Sequence, residues 1–355
     1  MNIDTNHRVA IVADDLTSAA DAAAPFVVRG LTAIVGRGRP PHLAGTVVSV
    51  DCGSRSATRA EAAARVADLT SRLADCEVLF KTVDSTLRGH VTAELGACFK
   101  ASGRGLLVFA PAFPAAGRTT VEGIQLVDGI PVAESVYGRD PVHPARHSSL
   151  AELVPNCIQN VFLLDAATQE ELDAKIAALP EPESILWAGS PGMALALARR
   201  LTPSETHRAS VRHDAENVLV VVGSANPHSH RQAKAIAHST GVTLVCGPVA
   251  REDDPDAVLR RIALEAEELL LRKRFDALIV SGGDTMDAIL NRLGVREFEV
   301  HHELAPGFPL CRAILNSGRP LWLAMKAGGF GDDDALRCAV AKLQRGAPLS
   351  AGASA

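Results

Sequence analysis

Aromatic side chains are scarce in this 355-residue sequence: 10 Phe, 2 Trp and 1 Tyr amount to 4%. That is too sparse for the stacking platform of a single-stranded nucleic-acid surface. A formal net charge of −5, without a basic tract, also argues against a nucleic-acid partner. Cysteine is present but without pattern. Cys52, Cys76, Cys98, Cys157, Cys246, Cys311 and Cys338 are odd in number and scattered with no C-x-x-C pair, which argues against a disulfide scaffold and a zinc ribbon. No apolar run approaches the ~20 residues of a membrane helix. The N-terminal stretch lacks the basic flank and apolar core of a secretory signal, so a cytoplasmic location without membrane contact is expected. The Walker pattern and G-x-G-x-x-G are both missing, which leaves no support for a P-loop or a dinucleotide fingerprint. His228 with His230, and His301-His302, lack the company of an H-E-x-x-H zinc site.

What is present is alternation. Apolar β-type runs at Val9 to Ala13, Thr32 to Val35, Val47 to Val50, Val78 to Lys81, Leu106 to Ala110 and Ile185 to Ala188 are separated by Ala- and Leu-rich helical stretches. Strand and helix in turn imply parallel sheet with helices on its faces. The region from Pro111 to about Ser149, rich in Gly, Pro and His, reads as a long functional loop. The pattern breaks at Leu201 to Asn217 and resumes with strands at Val218 to Val222, Val242 to Cys246, Ala277 to Val280 and Pro320 to Ala324, and a last helix from Asp333 to Gln344. A chain of this length exceeds one growing core. The expectation is therefore two α/β domains with mainly parallel sheets, residues 1–205 and 215–346, an active site in the interdomain cleft, and a disordered tail over 347–355.

Polar residues cluster just beyond the apolar runs, where α/β sheets bind ligands. Asp14 and Asp15 close the first strand; one suits a substrate or metal role and the other a helix N-cap. Arg55 follows the third strand in Asp51-Cys52-Gly53-Ser54-Arg55. Phe80-Lys81-Thr82-Val83-Asp84-Ser85-Thr86-Leu87-Arg88-Gly89 brings two cations, a carboxylate and three hydroxyls into ten residues, and Arg118 sits in Pro111-Ala112-Phe113-Pro114-Ala115-Ala116-Gly117-Arg118. Arginine suits a carboxylate because its planar fork donates two parallel hydrogen bonds. Lys81 reads either as a point-charge partner of an anion or as a lysine paired with Asp84. In the second half Gly223-Ser224-Ala225-Asn226, Gly282-Gly283-Asp284-Thr285 and Gly328-Gly329-Phe330-Gly331 each follow an apolar run. Glycine lets backbone N–H groups approach a phosphate, and a helix beginning beyond the turn adds its positive end.

These segments, with Asp140-Pro141-Val142-His143-Pro144, Ala188-Gly189-Ser190-Pro191-Gly192 and Lys326-Ala327-Gly328-Gly329-Phe330-Gly331, occur in one order from near Val9 to about Phe330. In that order they resemble the four-carbon acid sugar kinase family. The resemblance implies ATP-dependent phosphorylation, with Mg2+, of the terminal O4 hydroxyl of a sugar acid such as threonate or erythronate. It implies a first domain that holds the acid through Asp14, Arg55, Asp84, Ser85, Thr86, Arg88 and Arg118. Asp14, Asp84 and Lys81 are the catalytic candidates, with the base left open between Asp14 and Asp84. It implies a second domain that holds ATP through Ser224, Gly282, Gly283, Asp284, Thr285, Gly328 and Gly329. No metal ligand is assigned, and the assembly leaves room for a homodimer. Ala225 and Ala327 stand where relatives often carry hydroxyl or thiol residues, and Ser18 where a Gly is usual. The alternatives are a 3-oxo-tetronate or other hydroxy-acid kinase, and a non-catalytic sugar-acid-binding regulator.

Overall fold

A computed structural model describes residues 7–140, 143–179, 181–202, 213–249 and 254–345. The tail expected to be disordered, 347–355, and most of the expected boundary segment lie outside the described residues. The chain divides into two compact units, Met1–Glu205 and Thr206–Ala355.

The first unit runs β1 (Val9–Ala13), α1 (Leu16–Val28), β2 (Ala33–Arg37), β3 (Val47–Asp51), α2 (Arg59–Leu73), β4 (Val78–Thr82), α3 (Val91–Ser102) and β5 (Leu106–Ala110). It continues with β6 (Arg118–Val121), β7 (Ile124–Val127), β8 (Ile130–Pro131), α4 (Leu150–Leu153), β9 (Val161–Leu163), α5 (Gln169–Ala177), β10 (Ile185–Gly189) and α6 (Pro191–Leu201). Its main sheet, in the order β2-β3-β1-β4-β10-β5-β9, is parallel throughout. Alternate residues serve opposite faces. Val48 and Val50 join Val66 and Leu69 of α2 and Leu95 of α3 in one core, while the Ser49 hydroxyl between them donates to the Ala19 carbonyl of α1. Burial on both faces explains why β1, β3 and β4 read as continuous apolar runs rather than alternating ones. α2 starts where Thr58 and Glu61 form a reciprocal capping box, and α6 where Ser190 caps ahead of Pro191.

The second unit runs β11 (Val218–Val222), α7 (Pro227–Lys234), β12 (Val242–Cys246), α8 (Pro255–Arg272), β13 (Ala277–Ser281), α9 (Gly283–Arg292), β14 (Glu297–Ala305), β15 (Phe308–Ile314), β16 (Pro320–Lys326) and α10 (Ala335–Arg345). The order β12-β11-β13-β16 is parallel, and β15 and β14 extend it antiparallel.

The strand–helix alternation did not reveal β6 to β8, β9, α5 or the β14–β15 hairpin. Within Pro111 to Ser149, β6, β7 and β8 form a small antiparallel sheet whose strands of four, four and two residues are too short to show a period. The β14–β15 hairpin escaped because register shifts between Val300 and His302, and between Glu303 and Ala305, break the two-residue alternation.

Candidate active site

In the first unit the strand order turns at β1, with β3 and β2 on one side and β4, β10, β5 and β9 on the other. A parallel sheet opens its ligand crevice at such a switch point, outside the carboxyl ends of the strands. The loops after β1, β3 and β4 all emerge there. Asp15 caps α1, its Oδ1 accepting from the Ser18 amide at 2.7 Å. Asp14 is 4% exposed. Arg55 Nε donates to Asp14 Oδ2 at 2.7 Å, and the Arg55 guanidinium also pairs with Asp15. The amides of Ser54 and Arg55 donate to the Asp14 carbonyl at 3.0 and 3.2 Å, which fixes the third loop against the first. Oδ1 of Asp14 is buried without a hydrogen-bond partner, as are the hydroxyls of Thr17 and Thr82.

The loop after β4 turns tightly. The Leu87 amide donates to the Asp84 carbonyl at 2.7 Å, and Leu87 itself has φ +57°, a left-handed conformation that a bulky side chain adopts at a cost. Asp84 is the hub of the turn. Its Oδ1 accepts from the Thr86 amide at 3.1 Å, and its Oδ2 from the Thr86 hydroxyl at 2.8 Å and Arg88 Nε at 2.6 Å. Burial alone would raise the Asp84 carboxyl, but the charges of Arg88 and Arg55 and these hydrogen bonds outweigh it and hold the group well below the usual carboxylate range. Ser85 is buried, and its carbonyl accepts from the fully buried Gln125 of β7 at 2.8 Å. Gly89 follows at φ +91°, a backbone conformation that side-chain-bearing residues rarely adopt.

Lys81 is the penultimate residue of β4 and is 1% exposed. Its partner is not Asp84 but Glu94 of α3, at 2.8 Å, with a further bond of 2.7 Å to the Thr82 carbonyl. Glu94 also accepts from the Ser54 hydroxyl at 2.7 Å. Burial would lower the Lys81 ammonium, yet Glu94 and Asp14 outweigh it and push the group above its ordinary value. Asp14, Lys81, Asp84, Arg88 and Glu94 together line a cavity of about 10 Å³, room for one water.

Arg118, at the start of β6, joins this cluster through Tyr137, the single tyrosine of the chain. Arg118 Nη2 donates to the Tyr137 hydroxyl at 2.9 Å, and the guanidinium carbons of Arg118 and Arg88 lie 5.8 and 5.3 Å from its ring centroid. Arg88 also approaches Asp140 at 3.5 Å. Cation–π contact holds both arginines to one aromatic ring. The first unit thus brings together Asp14, Arg55, Lys81, Asp84, Ser85, Thr86, Arg88 and Arg118. Sequence reasoning missed Glu94, which resembles any charged residue on a packing helix, and Tyr137, whose uniqueness in the composition was the available signal.

In the second unit β11, β13 and β16 are neighbours in register, so their carboxyl ends share one sheet edge. The three glycine turns converge there. The amides of Gly223 and Ser224 donate to the Ser281 carbonyl at 3.1 and 3.3 Å, and that of Gly282 to the Lys326 carbonyl at 2.9 Å. Side chains would not fit: a Cβ at Gly223 would lie 1.9 Å from Thr285 Oγ1, and one at Gly328 would lie 2.1 Å from Ser224 Oγ. α9 begins at Gly283 behind Gly282, at φ +121°, with no side-chain cap. Its first amides therefore face outward as donors. Thr285 is buried, while Asp284 and Gly329 are exposed. Beneath the turns, Ser229 Oγ donates to the Gly328 carbonyl at 2.7 Å and Ser281 Oγ to Ser229 Oγ at 3.2 Å. Asn226 caps α7, its side chain accepting from the His228 amide at 2.9 Å. Among the described residues no group of three or more His, Cys, Asp and Glu side chains could hold a metal, and no helix is long and apolar enough to cross a membrane.

Comparison with known proteins bears on both units. A sugar-binding N-terminal domain family matches residues 9–161, and a nucleotide-binding C-terminal domain family matches residues 251–336. The D-threonate kinase of Cupriavidus necator is 31% identical over 398 aligned positions, which span 92% of this chain and 95% of that protein. The 3-oxo-tetronate kinase of Pectobacterium atrosepticum is 24% identical over 419 positions, 92% of this chain and 97% of that protein. A solved structure of a Haemophilus influenzae protein shares the fold with a TM-score of 0.70 at 18% identity, covering 94% of this chain and 100% of its own.

Proposed function

Because the chain belongs to the four-carbon acid sugar kinase family, we propose that it transfers the γ-phosphoryl group of ATP to the terminal O4 hydroxyl of a sugar acid such as threonate or erythronate. The observation that carries this reading is the asymmetry between the two candidate bases. Both oxygens of Asp84 are taken up by Thr86 and Arg88, and its pKa is depressed. Asp14 keeps one buried oxygen without a partner. A base must reach the proton that it removes, so Asp14 accepts the O4 proton and Asp84 shapes the loop. Arg88 and Arg118, held on Tyr137, receive the substrate carboxylate. Arg55 orients Asp14, and Lys81 acts through Glu94 and Asp14 rather than by touching the substrate.

In the second unit Ser224, Gly282, Gly283, Asp284, Thr285, Gly328 and Gly329 form the nucleotide cradle, with backbone amides as donors to phosphate. Phosphoryl transfer needs alignment and charge neutralisation more than covalent chemistry from the protein. Bound with ATP, Mg2+ supplies part of that neutralisation. It favours oxygen ligands and takes one or two carboxylates beside the phosphates. Asp284 fits that demand, being an exposed carboxylate in the first turn of α9.

An ADP-release assay of the purified protein against the tetronate stereoisomers and 3-oxo-tetronate tests this reading. ADP formation with at least one tetronate is expected. Turnover with 3-oxo-tetronate alone would move the assignment to the oxidised acid, and no acceptor-dependent ADP with any of them would overturn it.

A further inference from the structure

Glu94 stands in the first turn of α3, is 3% exposed, and has both of its oxygens committed. Oε2 pairs with the Lys81 ammonium at 2.8 Å, and Oε1 accepts from the Ser54 hydroxyl at 2.7 Å. Ser54 is fully buried and its amide donates to the Asp14 carbonyl, so the second anchor is itself fixed. Leu95 and Cys98 bury α3 in the core, which ties the carboxylate to the helix that carries it. Lys81 has a second carboxylate near it. Asp14 acts on the ammonium electrostatically and lines the same one-water cavity, yet the ion pair that Lys81 makes is with Glu94, and Asp14 Oδ1 stays without a partner. Opposite charges in a low-dielectric interior attract strongly. Two carboxylates therefore compete for one ammonium, and the one held at both oxygens has it. Asp84 is no third contender, because Thr86 and Arg88 occupy its oxygens.

We propose that Glu94 is a positioning residue for the acceptor base: it holds the Lys81 ammonium off Asp14 and so keeps one Asp14 oxygen open to the substrate hydroxyl. This rests on the reading of Asp14 as the base and adds to it the group that keeps the base free. Without the Glu94 charge, Asp14 Oδ1 is the carboxylate oxygen left for the ammonium, and Lys81 turns onto it. An oxygen that already accepts from an ammonium is poorly placed to take the O4 proton.

The test is steady-state kinetics of ADP release for the wild type, Glu94→Gln, Lys81→Met/Glu94→Gln and Asp14→Asn, measured well below the melting temperature of each. Glu94→Gln keeps size and hydrogen bonding but removes the charge, so kcat should fall about 10²-fold with KM for the acid within about threefold of wild type. The double variant removes the ammonium that would cover Asp14, and its kcat should rise about tenfold or more above that of Glu94→Gln. Loss of packing alone would not be repaired by losing a second buried group. Wild-type kcat in Glu94→Gln, or a double variant no faster than Glu94→Gln, overturns the proposal. If Glu94→Gln does not fold, the double variant, which leaves neither partner of the pair charged, decides alone. Turnover clearly above that of Asp14→Asn then supports the proposal, and turnover no better than Asp14→Asn overturns it. Wild-type turnover in Asp14→Asn shows instead that the base reading has failed, and the proposal falls with it.

Discussion

Lys81 is the penultimate residue of β4 in the first unit and Lys326 the last of β16 in the second, and each is 1% exposed. Their surroundings set them in opposite electrostatic states. Lys81 meets Glu94 at 2.8 Å within reach of Asp14 and is raised, whereas Lys326 meets only neutral oxygens among the described residues and is lowered. Burial disfavours both ammoniums, and the carboxylate partner reverses the outcome at Lys81. The first unit pairs its buried lysine with a carboxylate, and Asp14 nearby keeps one buried oxygen without a hydrogen-bond partner. The second carries a charge that its fold does not compensate.

The largest expected effect falls on the unpartnered oxygen of Asp14. Asp14→Asn keeps size and hydrogen bonding but removes the base, and turnover should fall roughly 10²- to 10⁴-fold with the fold intact. Asp15→Asn should leave turnover near wild type, because Asn caps a helix about as well as Asp. Steady-state kinetics on the pair, alongside melting curves, separates them, and equal loss in both would erase the distinction drawn at the end of β1.

Next in size is the self-paired lysine. Lys81→Met strands Glu94 in the interior, and removing one partner of a buried ion pair costs ~3–5 kcal/mol. Adding Glu94→Leu should recover part of that loss in denaturant unfolding. An unchanged midpoint in the single variant would mean that Lys81 and Lys326 do not differ in kind.

Arg88→Ala should weaken sugar-acid binding by ~2–5 kcal/mol while leaving ATP binding as it was, since it removes a charge held on Tyr137 and strands Asp84. Calorimetry with each ligand checks both halves. Loss of ATP binding with sugar-acid binding retained would reverse the assignment of the two units.

The smallest effect is a pH dependence. The Lys326 value of about 8 in the folded state lies below the 10.5 of an ordinary lysine. Between these values the unfolded chain binds more protons, so this residue makes the protein more stable as pH rises through that window. A Lys326→Met variant, free of this penalty, should therefore have a melting-temperature advantage over wild type that narrows between about pH 8 and pH 10.5. A gap that stays constant or widens would show that the ammonium is compensated after all.

Local pattern and long-range packing contributed different things. The strand–helix alternation was legible because burial on both faces of a parallel sheet leaves continuous apolar runs, and the site loops were legible because their polar residues follow those runs directly. Cap residues such as Thr58, Ser190 and Asn226 carry their signals within three residues. The β14–β15 hairpin was hidden by its register shifts, which disturb the one periodicity that marks a strand. The partner of Lys81 depended on α3 folding back across β4, a contact that sequence spacing does not specify, and the nearer Asp84 was instead drawn to Thr86 and Arg88. The gathering of Arg88 and Arg118 on Tyr137 joins a loop, a small sheet and a short helical turn. The sequence by itself determined which segments become strands and which residues stand at their ends, because those follow from neighbours a few positions away. Only the tertiary structure decided which of the buried charges are paired, because an ion pair is set by distance through space, and that distance is fixed by how the elements pack.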